Sequence, residues 1–395
     1  MFLIFCTLTG THQTIRAQSQ SASVTDSLKK ILNGTIHDTI RVQVYFKLAE
    51  EYYSTTPSTA IEYCEKAGKL SEQINYTAGI TNAYGWLAYL YEQTGQISKA
   101  LEYNFSALKL AQRNQLRKDE AILLGNIAAI YKDQGKIDEA LKFNFQSLEI
   151  RKALNDSAGI STIYNNVGLI YSGQGKVAEA IDYYMRSLAI EEKLKSSEGV
   201  ITALQNIGAV YREQKEYENA FLYYRRAQEE AQAAGNKYSL GYIFNGLGGL
   251  HEENQNMDSA LYYFTRALTL RKELDDKQGT AYTLKNIGIV YHRIAKHKQS
   301  EQALRNSLEI FEELGDKLGI TIASNLLGAL LFERGKETEA IKYLDRSLTY
   351  AKELGFPLQI SNAAGNIQKI YRKKGAWQQA LLMNDLYIQM RDSVQ

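Results

Sequence analysis

Two residue types that usually constrain a fold are nearly absent from this 395-residue sequence. Proline occurs only at Pro57 and Pro357. Because proline interrupts helix interiors, the proline-free stretch between them permits a long, entirely helical region. Cysteine occurs only at Cys6 and Cys64. If the apolar N-terminal stretch that holds Cys6 is removed, one mature chain can form no disulfide framework or cysteine-rich metal site. Cys64 is expected to be a small buried hydrophobe.

An excess of charge of either sign is also missing. The sequence has 46 Lys and Arg against 44 Asp and Glu, a formal net charge of +2, with 45% hydrophobic residues. This composition is that of an ordinary soluble protein, and it argues against a disordered chain or a nucleic-acid partner, which would require a larger basic excess. No apolar run reaches the roughly 18 residues that a membrane-spanning helix needs, so no membrane span is predicted in this chain.

The N-terminus resembles a secretory signal. A short apolar stretch is followed by a polar run that ends at Ile15, Arg16 and Ala17, a pattern that favours cleavage after Ala17. We therefore predict a signal peptide over 1–17, a lead-in segment over 18–39 and export to the periplasm or the extracellular space. A basic segment before the apolar stretch is missing, so a cytosolic protein with a disordered extension is the alternative.

The rest of the sequence repeats with a period of 40 residues, from Thr81 to the C-terminus, without an insertion or deletion. Four columns define the repeat. A small-residue column contains Ala88, Ala128, Gly168, Gly208, Gly248, Gly288 and Gly328. An aromatic column three residues later contains Tyr91, Tyr131, Tyr171, Tyr211, His251, Tyr291, Leu331 and Tyr371. A turn column contains Gly95, Gly135, Gly175, Gly335 and Gly375, and a second small column contains Ala100, Ala140, Ala180, Ala220, Ala260, Ser300, Ala340 and Ala380.

Each unit is predicted to be a pair of helices. The apolar residues from Ile160 to Tyr171 follow the three-and-four spacing of one helix face, and those from Val177 to Leu188 repeat it. Between the two segments, Gly175 supplies the left-handed conformation that a helix C-terminus commonly needs. Other glycines are expected to break the chain just before the next unit: Gly79, Gly159, Gly199, Gly279 and Gly319. Stability should come from stacking each unit on its neighbours.

These columns resemble those of the tetratricopeptide repeat over about residues 40–395. The 40-residue unit is similar to the longer repeats of kinesin light chains, Pins-type regulators and bacterial sensor regions. The resemblance implies an all-α fold, a right-handed superhelical solenoid of about nine helix-turn-helix repeats. The predicted units are 40–78, 79–118, 119–158, 159–198, 199–238, 239–278, 279–318, 319–358 and 359–395. Because His251, Leu331, Gln368 and Ser300 with its following Glu301 depart from the columns, their units are expected to be less tightly packed.

An asparagine column is the strongest functional candidate, and its members are Asn126, Asn166, Asn206, Asn286 and Asn366. It precedes the small-residue column by two residues, so it must face a different side of the first helix. In the families that the sequence resembles, this side lines a peptide-binding groove, and matching asparagines contact the ligand backbone. An amide offers a donor and an acceptor, which suits an extended peptide. The alternative is that these asparagines hydrogen-bond between neighbouring helices and only order the stack.

Further groove residues are predicted beside this column. Asn165 and Asn245 directly precede it, and Lys285, Arg293 and Lys373 make the wall more basic toward the C-terminal end. We expect this end to contact an anionic part of the ligand. The alternative is that these charges lie on solvated helix ends.

No catalytic centre, cofactor or metal site is predicted. Gly246-Leu-Gly248-Gly249 resembles a fragment of a phosphate-binding loop, but it falls on the small columns in mid-helix with no strand before it. The segment that begins at His251-Glu252 lacks the second histidine of a zinc-protease helix, and the five histidines form no ligand-spaced set. We therefore expect that the chain is not an enzyme.

The last predicted helix, from Ala380 to Met390, carries an apolar face with no later element in this sequence to cover it. Solenoids usually end in a cap with a polar outer side. Its apolar residues are therefore predicted to pack against a partner, a second copy or a further segment of the gene product: Leu382, Leu386, Tyr387 and Met390.

Taken together, the sequence predicts an exported scaffold that binds protein or peptide segments in its groove. Exported arrays of this kind resemble the sensory regions of bacterial signalling proteins. The alternative is a cytosolic regulator that binds a partner protein or a signalling peptide.

Overall fold

The computed structural model describes residues 24–53 and 55–393, and all regular secondary structure within those ranges is helical. The predicted signal peptide over 1–17 lies outside the described residues, as do Cys6 and the first part of the lead-in segment. The helices are α1 (24–32), α2 (Asp38–Tyr52), α3 (Pro57–Gln73), α4 (Thr77–Gln93), α5 (Ile97–Arg113), α6 (Arg117–Asp133), α7 (Ile137–Ala153), α8 (Ser157–Gly173), α9 (Val177–Leu194), α10 (Ser197–Glu213), α11 (Tyr217–Ala233), α12 (Lys237–Glu253), α13 (Met257–Glu273), α14 (Lys277–Arg293), α15 (His297–Leu314), α16 (Lys317–Glu333), α17 (Glu337–Leu354), α18 (Pro357–Lys373) and α19 (Trp377–Asp392). The predicted all-α fold is confirmed.

The chain divides into two compact units, one up to Val210 and one from Tyr211, so the division falls within α10. In the first unit, α2 pairs with α3, α4 with α5, α6 with α7 and α8 with α9. In the second unit, α12 pairs with α13, α14 with α15, α16 with α17 and α18 with α19. Within each unit, first helices of successive hairpins also touch directly, for example α6 with α8 and α14 with α16.

From α4 onward, the turn inside each hairpin depends on a left-handed residue, as the turn column predicted. Gly175 has φ 69°. Its backbone N–H donates to the Ser172 carbonyl at 2.9 Å, and the Lys176 N–H donates to the Tyr171 carbonyl at 2.9 Å. These bonds satisfy carbonyls that the end of α8 would otherwise leave unpaired.

The glycines expected to break the chain between units instead lie inside helices. Gly159 is the third residue of α8, and its N–H donates to the Asp156 carboxylate at 3.0 Å, which caps the helix. The other Asp156 oxygen accepts from Arg151 at 2.7 Å. A Cβ on Gly159 would collide with the Arg151 guanidinium, so this position requires glycine for close approach and not for a chain break.

The first helix of each hairpin begins about two residues before the approximate start of the predicted unit. Hairpins begin at Asp38, Thr77, Arg117, Ser157 and Ser197, where the predicted units begin at residues 40, 79, 119, 159 and 199. The later hairpins are offset in the same way. Each of the glycines in question is the third residue of a helix that has already begun.

Inside a hairpin, the small-residue column accommodates a large side chain sixteen residues later. A Cβ on Gly168 would lie 2.7 Å from Tyr184, and a Cβ on Gly248 would lie 2.6 Å from Phe264. Both rings are fully buried. The Gly column is therefore a packing feature, as expected for the segment around Gly246 and Gly248.

The residues that depart from the columns make contacts that replace those of the usual residues. The prediction that their repeats are less tightly packed is therefore wrong. His251 stacks on the Tyr263 ring with centroids 5.3 Å apart, as Tyr91 stacks on Tyr103 at 5.6 Å. Leu331 is fully buried. The Gln368 amide donates to the Asn384 side chain at 2.9 Å.

At the N-terminal end, α1 covers the first hairpin, since Leu28 packs with Val44 and Leu48. Cys64 is fully buried and free, which confirms its prediction as a small hydrophobe. Burial raises the pKa of its thiol well above the ordinary value.

Candidate functional site

The asparagine column lies on first helices and is open to solvent. Asn166, Asn206, Asn286 and Asn366 are half-buried, and Asn126 is exposed. We call the surface that carries this column and its preceding residues the first-helix face, and we describe it separately in each unit. The residue after each asparagine is buried in the core, as Val167 and Ile207 are, whereas the asparagines themselves do not share the buried stripe, as their spacing predicted.

Three members of the column hydrogen-bond to the preceding first helix. Each donates its side-chain N–H to the asparagine 41 positions earlier. The bonds are Asn206 to Asn165 at 2.7 Å, Asn286 to Asn245 at 3.1 Å and Asn366 to Asn325 at 3.1 Å. The ordering role left open by the sequence therefore applies to these three. A side-chain amide has two N–H donors and an oxygen with two lone pairs, so one bond does not exhaust it.

The other two members, Asn126 and Asn166, have no hydrogen-bond partner among the described residues. Asn166 lines a cavity of about 40 Å³ that lies between α6 and α8. Asn144, on α7 behind them, contributes to the same lining. These two columnar amides are available to a ligand without the loss of a structural bond.

Lys285 lies on the first-helix face of the second unit, next to Asn286. It is half-buried, and its ammonium lies 5.5 Å from the centre of the Tyr282 ring. Burial lowers its pKa, and the nearby Glu252 carboxylate partly opposes that effect. No ion pair joins Lys285 to another described residue, so its charge remains available to an anion.

Arg293 and Lys373 do not supply free positive charge. Arg293 forms an ion pair with Glu252 at 2.9 Å, and Lys373 forms one with Glu337 at 2.8 Å. The hydrogen bond from Lys373 lowers the pKa of Glu337. These carboxylates reduce the net positive charge of the predicted basic end. They lie on adjacent helices and are distant in sequence, so the sequence alone does not show that they are close.

The apolar surface of α19 differs from the predicted one. Leu382 is 59% exposed, as expected. Leu386 and Met390 pack against the core of the second unit, and Tyr387 lies against Gly365 on α18. These three side chains are half-buried and pack toward α18, so the predicted face is only partly uncovered at their positions. The large apolar side chains beside Leu382 that remain exposed are Trp377 at 68% and Leu381 at 60%.

Two features are absent from the part of the chain that the structure describes. Among the described residues, no group of three or more His, Cys, Asp or Glu side chains is placed to hold a metal ion. Within the same ranges, no helix combines the length and the apolar character that crossing a bilayer requires.

Sequence reasoning missed two parts of the site. Asn325 was not singled out, although its spacing of 41 residues from Asn366 matches that of Asn165 from Asn206. Asn144 was also missed, because it lies on a second helix among buried apolar positions. The signal that could have found it is a polar residue where other repeats have Tyr184 or Phe264.

Comparisons with known proteins agree with this architecture. Models of the tetratricopeptide repeat match residues 81–114, 119–193, 159–233 and 239–313, which together cover more than half of the chain. A search of curated proteins found no significant match.

Several solved structures share the fold at low sequence identity. The apo form of the quorum sensor NprR from B. thuringiensis has a TM-score of 0.59 and 13% identity, with 95% of this chain and 99% of that chain covered. A Rap protein complexed with Competence and Sporulation Factor has a TM-score of 0.56 and 12% identity, with 90% and 98% covered. A signal transduction ATPase with numerous domains (STAND) from Pyrococcus horikoshii, which carries a tetratricopeptide repeat sensor, has a TM-score of 0.60 and 14% identity. This chain is covered to 89% in that match and spans 52% of the ATPase.

Proposed function

The chain belongs to the tetratricopeptide repeat family, and from this premise we propose that it is a scaffold that holds an extended protein or peptide segment on its first-helix face. The observation that carries the proposal is a series of half-exposed side-chain amides with unused donors and acceptors. Asn126 and Asn166 are wholly unpaired among the described residues, and Asn206 and Asn286 each use one N–H.

An extended segment presents backbone N–H and C=O groups that need partners when they leave water. Side-chain amides supply both partner types without regard to the ligand's side chains. The bonds from Asn206 to Asn165 and from Asn286 to Asn245 hold these amides in place before a ligand arrives. Such preorganisation favours affinity because less side-chain freedom is lost on binding.

We further propose that binding serves signalling, with this chain as a sensory region. The support is the shared fold of a quorum sensor, of a Rap protein solved with Competence and Sporulation Factor, and of a sensor-bearing ATPase. A ligand that contacts several hairpins would favour the arrangement of helices that it binds best, and this shift in population would be the signal.

Lys285 is the residue that we propose to contact an anionic group of the ligand. It is the member of the predicted basic set on the first-helix face that is both half-buried and without an ion pair among the described residues. Arg293 and Lys373 contribute less to that role, because each is paired.

The double variant Asn126→Ala with Asn166→Ala tests the proposal. Neither amide bonds to another described residue, so the variant should fold as the wild type does. A displayed library of random 12-residue peptides, selected on the wild type, supplies the probes. We expect the selected peptides to bind the double variant at least about tenfold more weakly, from the loss of two hydrogen bonds. The matched control is Asn219→Ala with Asn306→Ala, which removes one exposed and one half-buried amide from second helices, each bonded only to a side chain three or four positions earlier.

Equal binding to the double variant and the wild type would reassign the column to a structural role. Recovery of no peptide by the wild type would remove the peptide-binding proposal itself.

We also propose that the chain is exported after cleavage of residues 1–17. N-terminal sequencing of the protein recovered from a periplasmic or culture-medium fraction should begin at Gln18. Recovery of the intact N-terminus in the cytosol would instead support the alternative, a cytosolic regulator that binds a partner protein or signalling peptide.

A further inference from the structure

One side of α19 carries a stripe of large apolar side chains that are open to solvent. Ile388 is 39% exposed, and Trp377 and Leu381 are more exposed still. A spacing of four and then seven residues keeps the three side chains within about 40° of one another around the helix, over a length of about 16 Å. We call this surface the α19 stripe. It is distinct from Leu386 and Met390, which pack against the core of the second unit.

In α17 the equivalent positions are covered by the next hairpin. Ile341 and Leu348 lie 40 residues before Leu381 and Ile388. Both belong to the same apolar cluster as Ile367 on α18, the first helix of the next hairpin, and Leu348 is only 8% exposed. The α19 stripe is therefore the face that a repeat presents to a helix stacked on it.

The first unit shows the same contact. Leu141 and Leu148 on α7 lie in one apolar cluster with Ile163 and Val167 on α8. In an array of repeats this face is buried by a neighbouring helix, which provides much of the stability. A contiguous apolar surface left open on such a face marks an interaction site.

The charges at the two ends of the α19 stripe differ in sign. Arg372 and Lys374 precede α19, and neither forms an ion pair with another described residue. Toward the other end, Asp385 is likewise without an ion pair among the described residues, and Asp392 pairs with its neighbour Arg391. The end near the α18–α19 turn is thus basic, and the second half of α19 is net acidic.

We propose that the α19 stripe binds the same stripe of a second copy of this chain, with the two helices antiparallel about a two-fold axis. A two-fold interface uses one patch on both copies, so the patch must be complementary to itself. An antiparallel pair meets this condition, because Trp377 lies opposite the partner subunit's Ile388 and each basic end lies beside an acidic end. The helix macrodipoles are then also antiparallel. A parallel pair would set the two basic ends side by side.

Sedimentation velocity on the full chain, from about 1 to 100 μM, tests the association. We expect a monomer–dimer equilibrium. Leu381→Asp places a charge within the apolar stripe and should weaken the dimer at least about tenfold. The matched control is Leu222→Asp on α11, where the leucine is 54% exposed, and it should leave the dimer unchanged. Both substitutions lie at the surface, and circular dichroism establishes that each variant is folded.

Two charge variants test the antiparallel arrangement. Lys374→Glu and Asp392→Lys each set like charges together at both ends of the dimer, so each should associate about 3- to 10-fold more weakly than the wild type at low salt. A mixture of the two variants can form a heterodimer in which both ends are again complementary. We expect that mixture to recover the affinity of the wild type.

A chain that stays monomeric at the highest concentration would overturn the proposal and indicate that a helix from a different source covers the stripe. A dimer that Leu381→Asp leaves intact would also overturn it, since the copies would then meet through another surface. A dimer that Leu381→Asp disrupts, but that the mixed charge variants do not restore, would refute the antiparallel arrangement.

Discussion

At the scale of single residues, the repeats differ in which residue adopts the left-handed conformation in the turn within the hairpin. Most turns place glycine in the left-handed region, as at Gly335 with φ 76°. Three of the turns that the structure fully describes place another residue there: Lys215 at φ 60°, Gln255 at φ 59° and Ala295 at φ 58°. A side chain with a Cβ is strained in this region because the Cβ approaches the following carbonyl oxygen.

Replacing Ala295 by glycine should therefore stabilise the protein. We expect a gain of about 0.5 to 1 kcal/mol, the relief of strain less the extra freedom of glycine in the unfolded chain. The converse variant Gly335→Ala should lose a similar amount, since open space surrounds the site and only the backbone conformation penalises a Cβ. Thermal unfolding followed by circular dichroism measures both. A loss of stability in Ala295→Gly would show that this turn is held by something other than its conformation.

At the scale of the hairpin, a glycine on the first helix and a large side chain on the second form one packing unit. Gly248 and Phe264 are the clearest case, with the ring fully buried against the glycine. Because protein interiors are close-packed, neither residue can change size without the other.

A double-mutant cycle on this pair should be strongly non-additive. Gly248→Ala should cost about 1 to 3 kcal/mol through overpacking against the ring. Phe264→Leu makes room for the new methyl group, so the double variant should be more stable than the sum of the two single losses predicts, by at least about 0.5 kcal/mol. The free energy of unfolding in urea is the measurement. Additive losses would mean that the two helices shift apart instead of competing for the space.

The connection between successive hairpins depends on one carboxylate that both caps a helix and forms an ion pair. Asp276 caps α14 by accepting the Gly279 N–H at 2.8 Å, and it also pairs with Arg271, which is only 4% exposed. The same arrangement holds Arg151, Asp156 and Gly159 together in the first unit. One carboxylate thus joins the end of one hairpin to the start of the next.

Asp276→Ala should destabilise the protein by about 3 to 5 kcal/mol, because it removes the cap and leaves a buried guanidinium without its partner. Asn236→Ala is the matched control, since Asn236 caps α12 by accepting from Ser239 and pairs with no charge. Its loss should be about 1 kcal/mol. Unfolding free energies compare the two; equal losses would show that the ion pair contributes little.

At the scale of the whole molecule, the interactions are local in sequence. The side-chain hydrogen bonds between first helices join residues 41 positions apart, as from Asn206 to Asn165. One apolar cluster of the second unit runs from Ala281 to Ile370 and includes fully buried Leu327. In an array of this kind, stability is a sum of each repeat's own stability and the interfaces with its neighbours.

A cavity made by Leu327→Ala should therefore have a regional effect. We expect a loss of about 2 to 5 kcal/mol and faster amide hydrogen exchange in α14 to α18, the helices that contribute to the cluster. Exchange in α4 to α7 of the first unit should remain as in the wild type. Peptide-resolved hydrogen exchange by mass spectrometry makes the comparison, and uniform acceleration along the chain would contradict the nearest-neighbour account.

The sequence by itself determined the helices, their pairing into hairpins and the left-handed turns. Every 40-residue repeat buries the same helix faces, so equivalent positions need the same residue types, as at Ala140 and Ala180. This repetition makes the helices and turns visible in the sequence. It also determined that the asparagine column leaves the core, since that follows from helical periodicity alone.

Only the tertiary structure decided which of these side chains are already paired. Whether Asn206 reaches Asn165, or Arg293 reaches Glu252, depends on distances between adjacent helices, and helical periodicity does not contain those distances. The cavity that Asn144 and Asn166 line has the same origin, because a cavity is the volume that side chains from three helices fail to fill. A repeating pattern specifies which faces meet, whereas the fit of individual side chains specifies what remains open to a ligand.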